Sequence, residues 1–356
     1  MQRTHKRLAA LIAIPAMLAF SGCSSTPDPG SGAPGASVPA PTDYLTKLYK
    51  EAIESGQTHI VGYVPSPITT EPFLKDFYAQ FPEMSVELVS LFGPELDSRL
   101  SAEIATGGIK ADFTNVGLAQ LPAFAERGWL EPFMPETAEG IDESLIGPDN
   151  MWVSPTVNLQ GPIYNSDRMS KDEVPSTWAD LVAPKYKGKV ARSPLGSGGF
   201  ALALAEANKR GLVDEEWLKA LAAQKPSVYA GPIQTVQALI GGEVELYTSG
   251  PYQVAKSFAD DGAPVDFVFL KEGNIANPDP TALFKGSPSP AGAKLFSAWM
   301  FTKEAQARIL ETTGRQGMMP GAPKIEGLKG IHIVLLETSV DHLPVWRETA
   351  MRILGG

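Results

Sequence analysis

Short apolar runs alternate with amphipathic segments along most of this chain. The run His59–Val64 has the composition of a buried strand and is followed by Pro65. From Glu71 to Phe81 the apolar residues recur at helical spacing, and Val86–Val89 reads as the next strand. Leu96–Thr106 predicts a second helix, which two glycines end.

A second set with the same alternation lies further along the chain. It runs from Lys189–Ala191 through a helix at Phe200–Arg210 to the apolar segment Val265–Leu270. Strands that alternate with helices predict an open, mainly parallel sheet with helices on both faces. Two such sets in one chain predict a two-lobed α/β protein.

The first 22 residues have the features of a secretory signal. Arg3, Lys6 and Arg7 precede a thirteen-residue apolar run, Leu8–Phe20, which is too short to cross a bilayer. The run ends at Phe20-Ser21-Gly22-Cys23, which resembles the lipobox of bacterial lipoproteins. We therefore expect Cys23 to carry a lipid that attaches the protein to the membrane outside the cytoplasm, in the cell envelope.

Cysteine content and charge limit the remaining possibilities. Cys23 is the single Cys of the 356 residues, so the folded body has no disulfide and no Cys ligand or nucleophile. The formal charge is −10, and it becomes −13 when the three cations of residues 1–22 are removed. Such a surface repels nucleic acid.

Composition predicts how the chain is divided. The stretch after Cys23 is rich in Pro, Gly and Ser and reads as a tether, whereas the remaining residues are too numerous for one hydrophobic core. The predicted segments are a signal peptide at 1–22, a tether at 23–42, the first part of lobe 1 at 43–156, lobe 2 at 157–270, and a return to lobe 1 with C-terminal helices at 271–356.

Four segments, in order, carry a resemblance to a known family. They are Gly128-Trp129-Leu130-Glu131-Pro132 after Ala111-Asp112-Phe113, then Gly161-Pro162-Ile163-Tyr164-Asn165-Ser166-Asp167, then Pro175–Leu181 with Pro184–Val190, and lastly Ala293–Phe301 with Thr302–Gln306. Together they resemble periplasmic solute-binding proteins of the ferric-ion-binding type. The resemblance implies a type II periplasmic-binding-protein fold, in which two lobes are joined by a two-strand hinge, expected here at Thr156–Gln160 and near Leu270.

The turn before the helix at Phe200–Arg210 is one candidate binding site. Ser197 is a good helix N-cap, and Gly198 and Gly199 leave room for a bound group near the free N–H groups of a helix start. The family holds an anion at its matching turn, and Ser193 adds a hydroxyl. The alternative is that Ser197 serves only as the helix cap, and the two roles are compatible.

A second candidate is the segment Tyr247–Tyr252, which includes Ser249. Ferric-ion-binding relatives carry two adjacent tyrosines here and a His early in the chain. In this chain Pro251 precedes Tyr252, and the first loop, which holds Ser66, has no His. This breaks the ferric set, and we predict no metal site. Ser66, Asn115 and Gln160 complete the predicted ligand-binding residues.

The sequence gives little support to the interpretation that the protein is an enzyme. It contains no nucleophile elbow, no Walker A loop, no H-E-x-x-H helix and no G-x-G-x-x-G after the first strand. We therefore predict a monomeric receptor without cofactor or enzymatic activity, which hands a small ligand to the membrane subunits of an ABC importer. The ligand is expected to be an organic anion, namely a phosphonate, a sugar phosphate or a carboxylate. The alternatives are ferric ion with a synergistic anion, and a lipoprotein sensor or adhesin that does not transport.

Overall fold

A computed structural model describes residues 40–65, 71–196 and 198–355 of the chain. The expected signal peptide, Cys23 and most of the tether lie outside these ranges, as do Ser66 and Ser197. Within the described ranges, no helix combines the length and the apolar character that a bilayer span requires.

The strands belong to one twelve-stranded mixed sheet that extends through both lobes. They are β1 (His59–Val64), β2 (Ser85–Ser90), β3 (Phe113–Thr114), β4 (Leu130–Glu131), β5 (Val153–Asn165), β6 (Val190–Arg192), β7 (Ser227–Val228), β8 (Leu246–Pro251), β9 (Val265–Phe267), β10 (Asn274–Phe284), β11 (Gln316–Gly317) and β12 (Ile331–Ile333).

Helices cover both faces of the sheet. They are α1 (Asp43–Glu54), α2 (Glu71–Gln80), α3 (Gly93–Ala105), α4 (Leu121–Glu126), α5 (Gly198–Lys209), α6 (Glu215–Ala223), α7 (Pro232–Gly241), α8 (Tyr252–Asp260), α9 (Pro290–Trp299), α10 (Lys303–Thr313) and α11 (Leu343–Leu354).

Most of the predicted elements are confirmed. The run His59–Val64 is β1, and the helical spacing from Glu71 corresponds to α2. The strand predicted at Val265–Leu270 is too long, because β9 ends at Phe267. The backbone N–H of Leu270 donates instead to the side chain of Asn274, which turns the chain towards β10.

The two lobes contain the same arrangement of five strands. In lobe 1, β1 pairs in parallel with β2 and β3, and β10 runs antiparallel to β3 and β4. In lobe 2, β6 pairs in parallel with β7 and β8, and β5 runs antiparallel to β8 and β9. The predicted two-lobed α/β fold is therefore confirmed.

Separate apolar layers lie on the two faces of each lobe. In lobe 1, α1, α2, α9 and α10 pack on one face and α3 and α4 on the other. The ring of Phe77 lies 5.2 Å from those of Phe296 and Trp299, and truncating such a buried ring to Ala costs about 3 to 5 kcal/mol. In lobe 2, α5, α6 and α11 cover one face, and α7 and α8 cover the other.

Three segments connect the lobes, whereas the sequence analysis expected two. Strands β5 and β10 cross side by side and form the expected pair of hinge strands, and the second crossing lies on β10, which begins shortly after Leu270. The third segment leaves β11, which pairs with β5, and reaches β12, which pairs with β10. Its strands are two and three residues long, too short to give a readable sequence pattern. Residues 331–355 then pack on lobe 2, where Trp346 joins the core.

Candidate functional site

One face of the two crossing strands is polar. Thr156, Asn158 and Gln160 alternate along β5, so they point to the same face. On β10, Asn277 lies opposite Asn158, and Asp279 lies opposite Thr156. We call these five residues the cleft floor. The intervening residues Val157, Leu159 and Ala276 belong to the apolar core on the other face.

The first turn of α5 lies over the cleft floor. A Cβ added at Gly199 would lie 3.7 Å from Nε2 of Gln160 and 3.8 Å from Nδ2 of Asn277. The start of a helix has free N–H groups and a partial positive charge. The structure thus brings together Gln160, Gly198 and Gly199 from the predicted set and adds Asn277. It offers amide donors and helix N–H groups to a negatively charged oxygen.

An ion pair lies at the lobe 1 end of the floor. Arg315 Nε is 3.3 Å from Asp279 Oδ2, and the hydroxyl of Thr156 donates to the same oxygen at 3.2 Å. The side chains of Arg315 and Asp279 are 12% and 23% exposed. Burial raises the pKa of the Asp279 carboxyl above its ordinary value, and the Arg315 charge and the Thr156 hydrogen bond oppose that shift.

Asn115 lies beside this ion pair. It lines a cavity of about 30 Å³ together with Thr156, Asp279 and Arg315, and Phe73 and Phe296 form part of the apolar wall. The Oδ1 atom of Asn115 is buried and accepts no hydrogen bond from the described residues. This predicted site residue therefore adjoins the cleft floor from lobe 1.

Ser193 and Tyr247 lie inside lobe 2. Their hydroxyls form a hydrogen bond with each other, and the two residues are 2% and 0% exposed. Burial raises the pKa of Tyr247 to about 12, against the opposing effect of the hydrogen bonds from Ser193 and Thr235. The phenol of Tyr247 is therefore neutral and enclosed in the core of lobe 2. Neither Ser193 nor Tyr247 lies on the cleft surface.

The remaining predicted residues follow Tyr247 in the chain. Ser249 is 2% exposed, and its hydroxyl has no partner among the described residues. Tyr252 begins α8 and packs against Phe267 and Phe269, with ring centroids 5.2 and 5.9 Å away. Burial raises the pKa of Tyr252, which nevertheless remains partly exposed. Of the two tyrosines, only Tyr252 is accessible to a ligand.

Sequence reasoning missed five residues of this region as ligand-binding candidates, namely Thr156, Asn158, Asn277, Asp279 and Arg315. Polar residues alternate with apolar ones from Thr156 to Gln160 in the sequence, but the strand that pairs with them was expected near Leu270. In the described part of the chain, no three His, Cys, Asp or Glu side chains are grouped as metal ligands.

The sequence matches a known family over most of its length. Residues 73–329 match the family of bacterial extracellular solute-binding proteins. The chain is 25% identical over 267 residues to iron uptake protein A1 of Synechocystis sp.. The aligned region covers 70% of this chain and 73% of that protein. It is also 25% identical over 170 residues to the Fe(3+)-binding periplasmic protein of Serratia marcescens, about half of each chain.

Solved structures share the fold. Iron-bound HitA from Pseudomonas aeruginosa superposes with a TM-score of 0.69 at 20% identity, over 83% of this chain and 99% of HitA. The substrate binding protein of the ABC transporter from Agrobacterium tumefaciens gives a TM-score of 0.71 at 16% identity, over 84% and 96% of the chains. The fold and the family match agree, and this chain belongs to the bacterial extracellular solute-binding proteins.

Proposed function

We propose that the protein is the receptor of an ABC importer and captures a small solute between its two lobes. The observation that carries this proposal is the polar face of the crossing strands, over which the first turn of α5 lies. Polar groups in the interior of a protein are normally paired with each other or with a ligand. Here they are collected at the junction of two lobes, where binding proteins of this architecture enclose their ligands.

Ferric iron is the cargo that the relatives favour, ahead of the free organic anion that the sequence analysis ranked first. Both curated relatives are named for iron, and one similar structure is a Trichodesmium protein in complex with iron and citrate ligands. With Tyr247 enclosed and Pro251 in place of a tyrosine, the protein supplies few iron ligands of its own. We therefore propose that the iron arrives with an organic anion such as citrate, whose carboxylates complete its coordination.

Different residues of the chain would bind the organic anion and the iron. The α5 N–H groups and the amides of Gln160 and Asn277 would bind carboxylate oxygens, since both supply hydrogen-bond donors. Tyr252 would supply a phenolate oxygen, a hard ligand suited to ferric ion. Closure of the lobes about β5, β10 and the third crossing would bury the complex, and the membrane subunits would recognise the closed form. Lipidation at Cys23 would keep the monomeric receptor at the outer face of a membrane.

Titration of the purified protein separates the possible cargoes. Ferric citrate, citrate alone and a phosphonate are each added while heat and visible absorbance are recorded. Saturable binding of ferric citrate with a visible band, and at least tenfold weaker binding of citrate, is the expected result. Equal binding of citrate alone would restore the organic anion as cargo. Binding of none of them, with normal iron uptake in a strain that lacks the protein, would favour a sensor or adhesin.

A further inference from the structure

The cleft region contains an excess of hydrogen-bond acceptors. The side-chain oxygens of Asn115, Asn158, Asn277 and Gln253 are all buried, and none accepts a hydrogen bond from the described residues. These residues come from separate elements, namely the chain after β3, the two crossing strands, and α8. An ordinary core pairs such atoms, because a buried carbonyl oxygen without a donor is destabilising.

Three of the four residues lie on or beside the cleft floor, and the fourth lies near the chain that leads to Arg315. Asn158 and Asn277 are directly opposite each other on β5 and β10, which places their Cβ atoms about 5 Å apart. Asn115 shares a cavity with Asp279 and Arg315 at the lobe 1 end of the same face. Gln253 lies at the start of α8, where its Cα would be 3.2 Å from a Cβ added at Gly314, the residue before Arg315. Lobe 1, lobe 2 and both crossing strands therefore contribute acceptors.

We infer that Asn158 and Asn277 bind the cargo through their side-chain oxygens, and that the cargo is a solute that presents hydrogen-bond donors there. This inference rests on the proposed function and specifies its cargo as a hydrated ferric hydroxycarboxylate. Water bound to ferric iron is a strong donor, because the metal charge polarises its O–H bonds. A fully ionised phosphonate or carboxylate presents acceptors only and leaves the four oxygens unpaired.

The two ends of Asn277 illustrate the division. Its Nδ2 lies 3.8 Å from a Cβ added at Gly199, at the start of α5, whereas its Oδ1 is buried and accepts no hydrogen bond from the described residues. The site thus has a donor end for carboxylate oxygens and an acceptor end for water or hydroxyl. A hydrated metal chelate presents both kinds of group on one small molecule.

Substitution of Asn158 tests which end of the amide is used, with ferric citrate as the probe. Asn158→Leu removes both amide groups and should weaken binding about tenfold, the effect of losing one hydrogen bond. Asn158→Asp keeps acceptor oxygens and loses the donor, so its affinity should stay within about threefold of the wild type. Asn277→Leu and Asn277→Asp should show the same order of affinity for ferric citrate, with the Asp variant binding more tightly than the Leu variant. An Asp variant that binds as weakly as the Leu variant, or more weakly, would overturn the inference.

Thermal melting of the unliganded variants provides an independent readout. Removing an unpaired buried oxygen should leave the melting temperature of Asn158→Leu unchanged or higher, and a clear decrease would contradict the inference. Asn208→Leu is the matched control, since that side chain donates to Val213 and contacts His342 at 2.9 Å each. It should melt earlier and bind ferric citrate normally. Failure of the wild type to bind ferric citrate would overturn the proposed cargo. The melting temperatures of the variants would still show whether the oxygen of Asn158 is unpaired in the unliganded protein.

Discussion

The hydroxyl of Ser193 donates to or accepts from the phenol of Tyr247 in the interior of lobe 2, where neither side chain reaches the surface. The contact joins the end of β6 to β8, the strand that leads into α8. A tyrosine enclosed in this way stabilises the lobe, whereas Tyr252 five residues later remains partly exposed. The two tyrosines should therefore respond differently to the same substitution.

Tyr247→Phe should lower the free energy of unfolding by about 1 to 2 kcal/mol, because it leaves the buried Ser193 hydroxyl without its partner. Its affinity for ferric citrate should not change. Tyr252→Phe keeps the packing on Phe267 and should leave stability unchanged, but it should remove the visible band of the iron-loaded protein. Chemical denaturation and absorbance titration of both variants measure these effects. A band that is lost in Tyr247→Phe and kept in Tyr252→Phe would contradict the assignment.

Gly199→Ala should fold normally and bind the cargo more weakly. The added Cβ would meet Gln160 and Asn277 at ordinary contact distances of 3.7 to 3.9 Å, and Ala favours a helix over Gly by roughly 1 kcal/mol. The methyl group would, however, occupy the space between α5 and the amides, and we expect at least tenfold weaker binding of ferric citrate by calorimetry. Gly196→Ala is the control, since its added Cβ meets no described atom within 4 Å. Equal affinity in both variants would exclude Gly199 from the site.

Arg315→Met should destabilise the protein more at neutral pH than in acid. Burial already raises the pKa of Asp279 above 3.8, so the folded state binds its proton more readily than the unfolded state. Removing Arg315 removes an opposing effect, and the pKa rises further. The resulting loss, about 2 kcal/mol at pH 7, should therefore shrink as pH falls through the pKa of Asp279 towards 4.

Denaturation curves at several pH values measure this dependence. Arg308→Met is the control, because Arg308 pairs with Asp76 and Glu311 on the surface and is 37% exposed. It should cause a smaller loss without the same trend. A loss in Arg315→Met that is constant from pH 7 to pH 4 would show that Asp279 is not the group left unpaired.

Glu206→Ala should destabilise lobe 2 by about 3 kcal/mol. Glu206 is 1% exposed on α5 and accepts from Arg210 at 2.7 Å and from Thr338, in the segment that follows the third crossing, at 2.5 Å. Removing the carboxylate leaves a cation and a buried hydroxyl without their partner. Glu215→Ala, at an exposed pair with Arg352, should have no measurable effect. Similar melting temperatures for the two variants would contradict a stabilising role of the contacts that Glu206 makes with Arg210 and Thr338.

Cys23→Ala should move the protein from the membrane fraction to the soluble fraction. This prediction rests on the positively charged N-terminal segment, the short apolar run after it and the single Cys. An attached lipid provides the membrane affinity that the acidic body lacks. Fractionation of cells that express each form, with immunoblotting, measures the change. Unchanged membrane partition of the variant would contradict lipid attachment at this residue.

The sequence alone determined the general architecture and the family resemblance. Alternating apolar runs and helical spacing predicted β1, α2 and the two-lobed α/β fold, because these patterns depend on neighbours within a few residues. The resemblance carried by the segments from Ala111 to Gln306 agrees with the family that matches residues 73–329. The turn at Gly198 and Gly199 was also readable, since a strand followed by glycines and a helix is a local signal.

Only the tertiary structure decided which residues share the cleft. Asn158 and Asn277 are 119 positions apart in the chain, and their contact depends on the register of β5 and β10, which no local pattern encodes. Tyr247 was a plausible ligand by residue type, and only packing revealed that its phenol is enclosed against Ser193. The ion pair of Asp279 and Arg315 likewise requires the third crossing. A sequence displays which groups are available, and burial and strand register select those that a solute can reach.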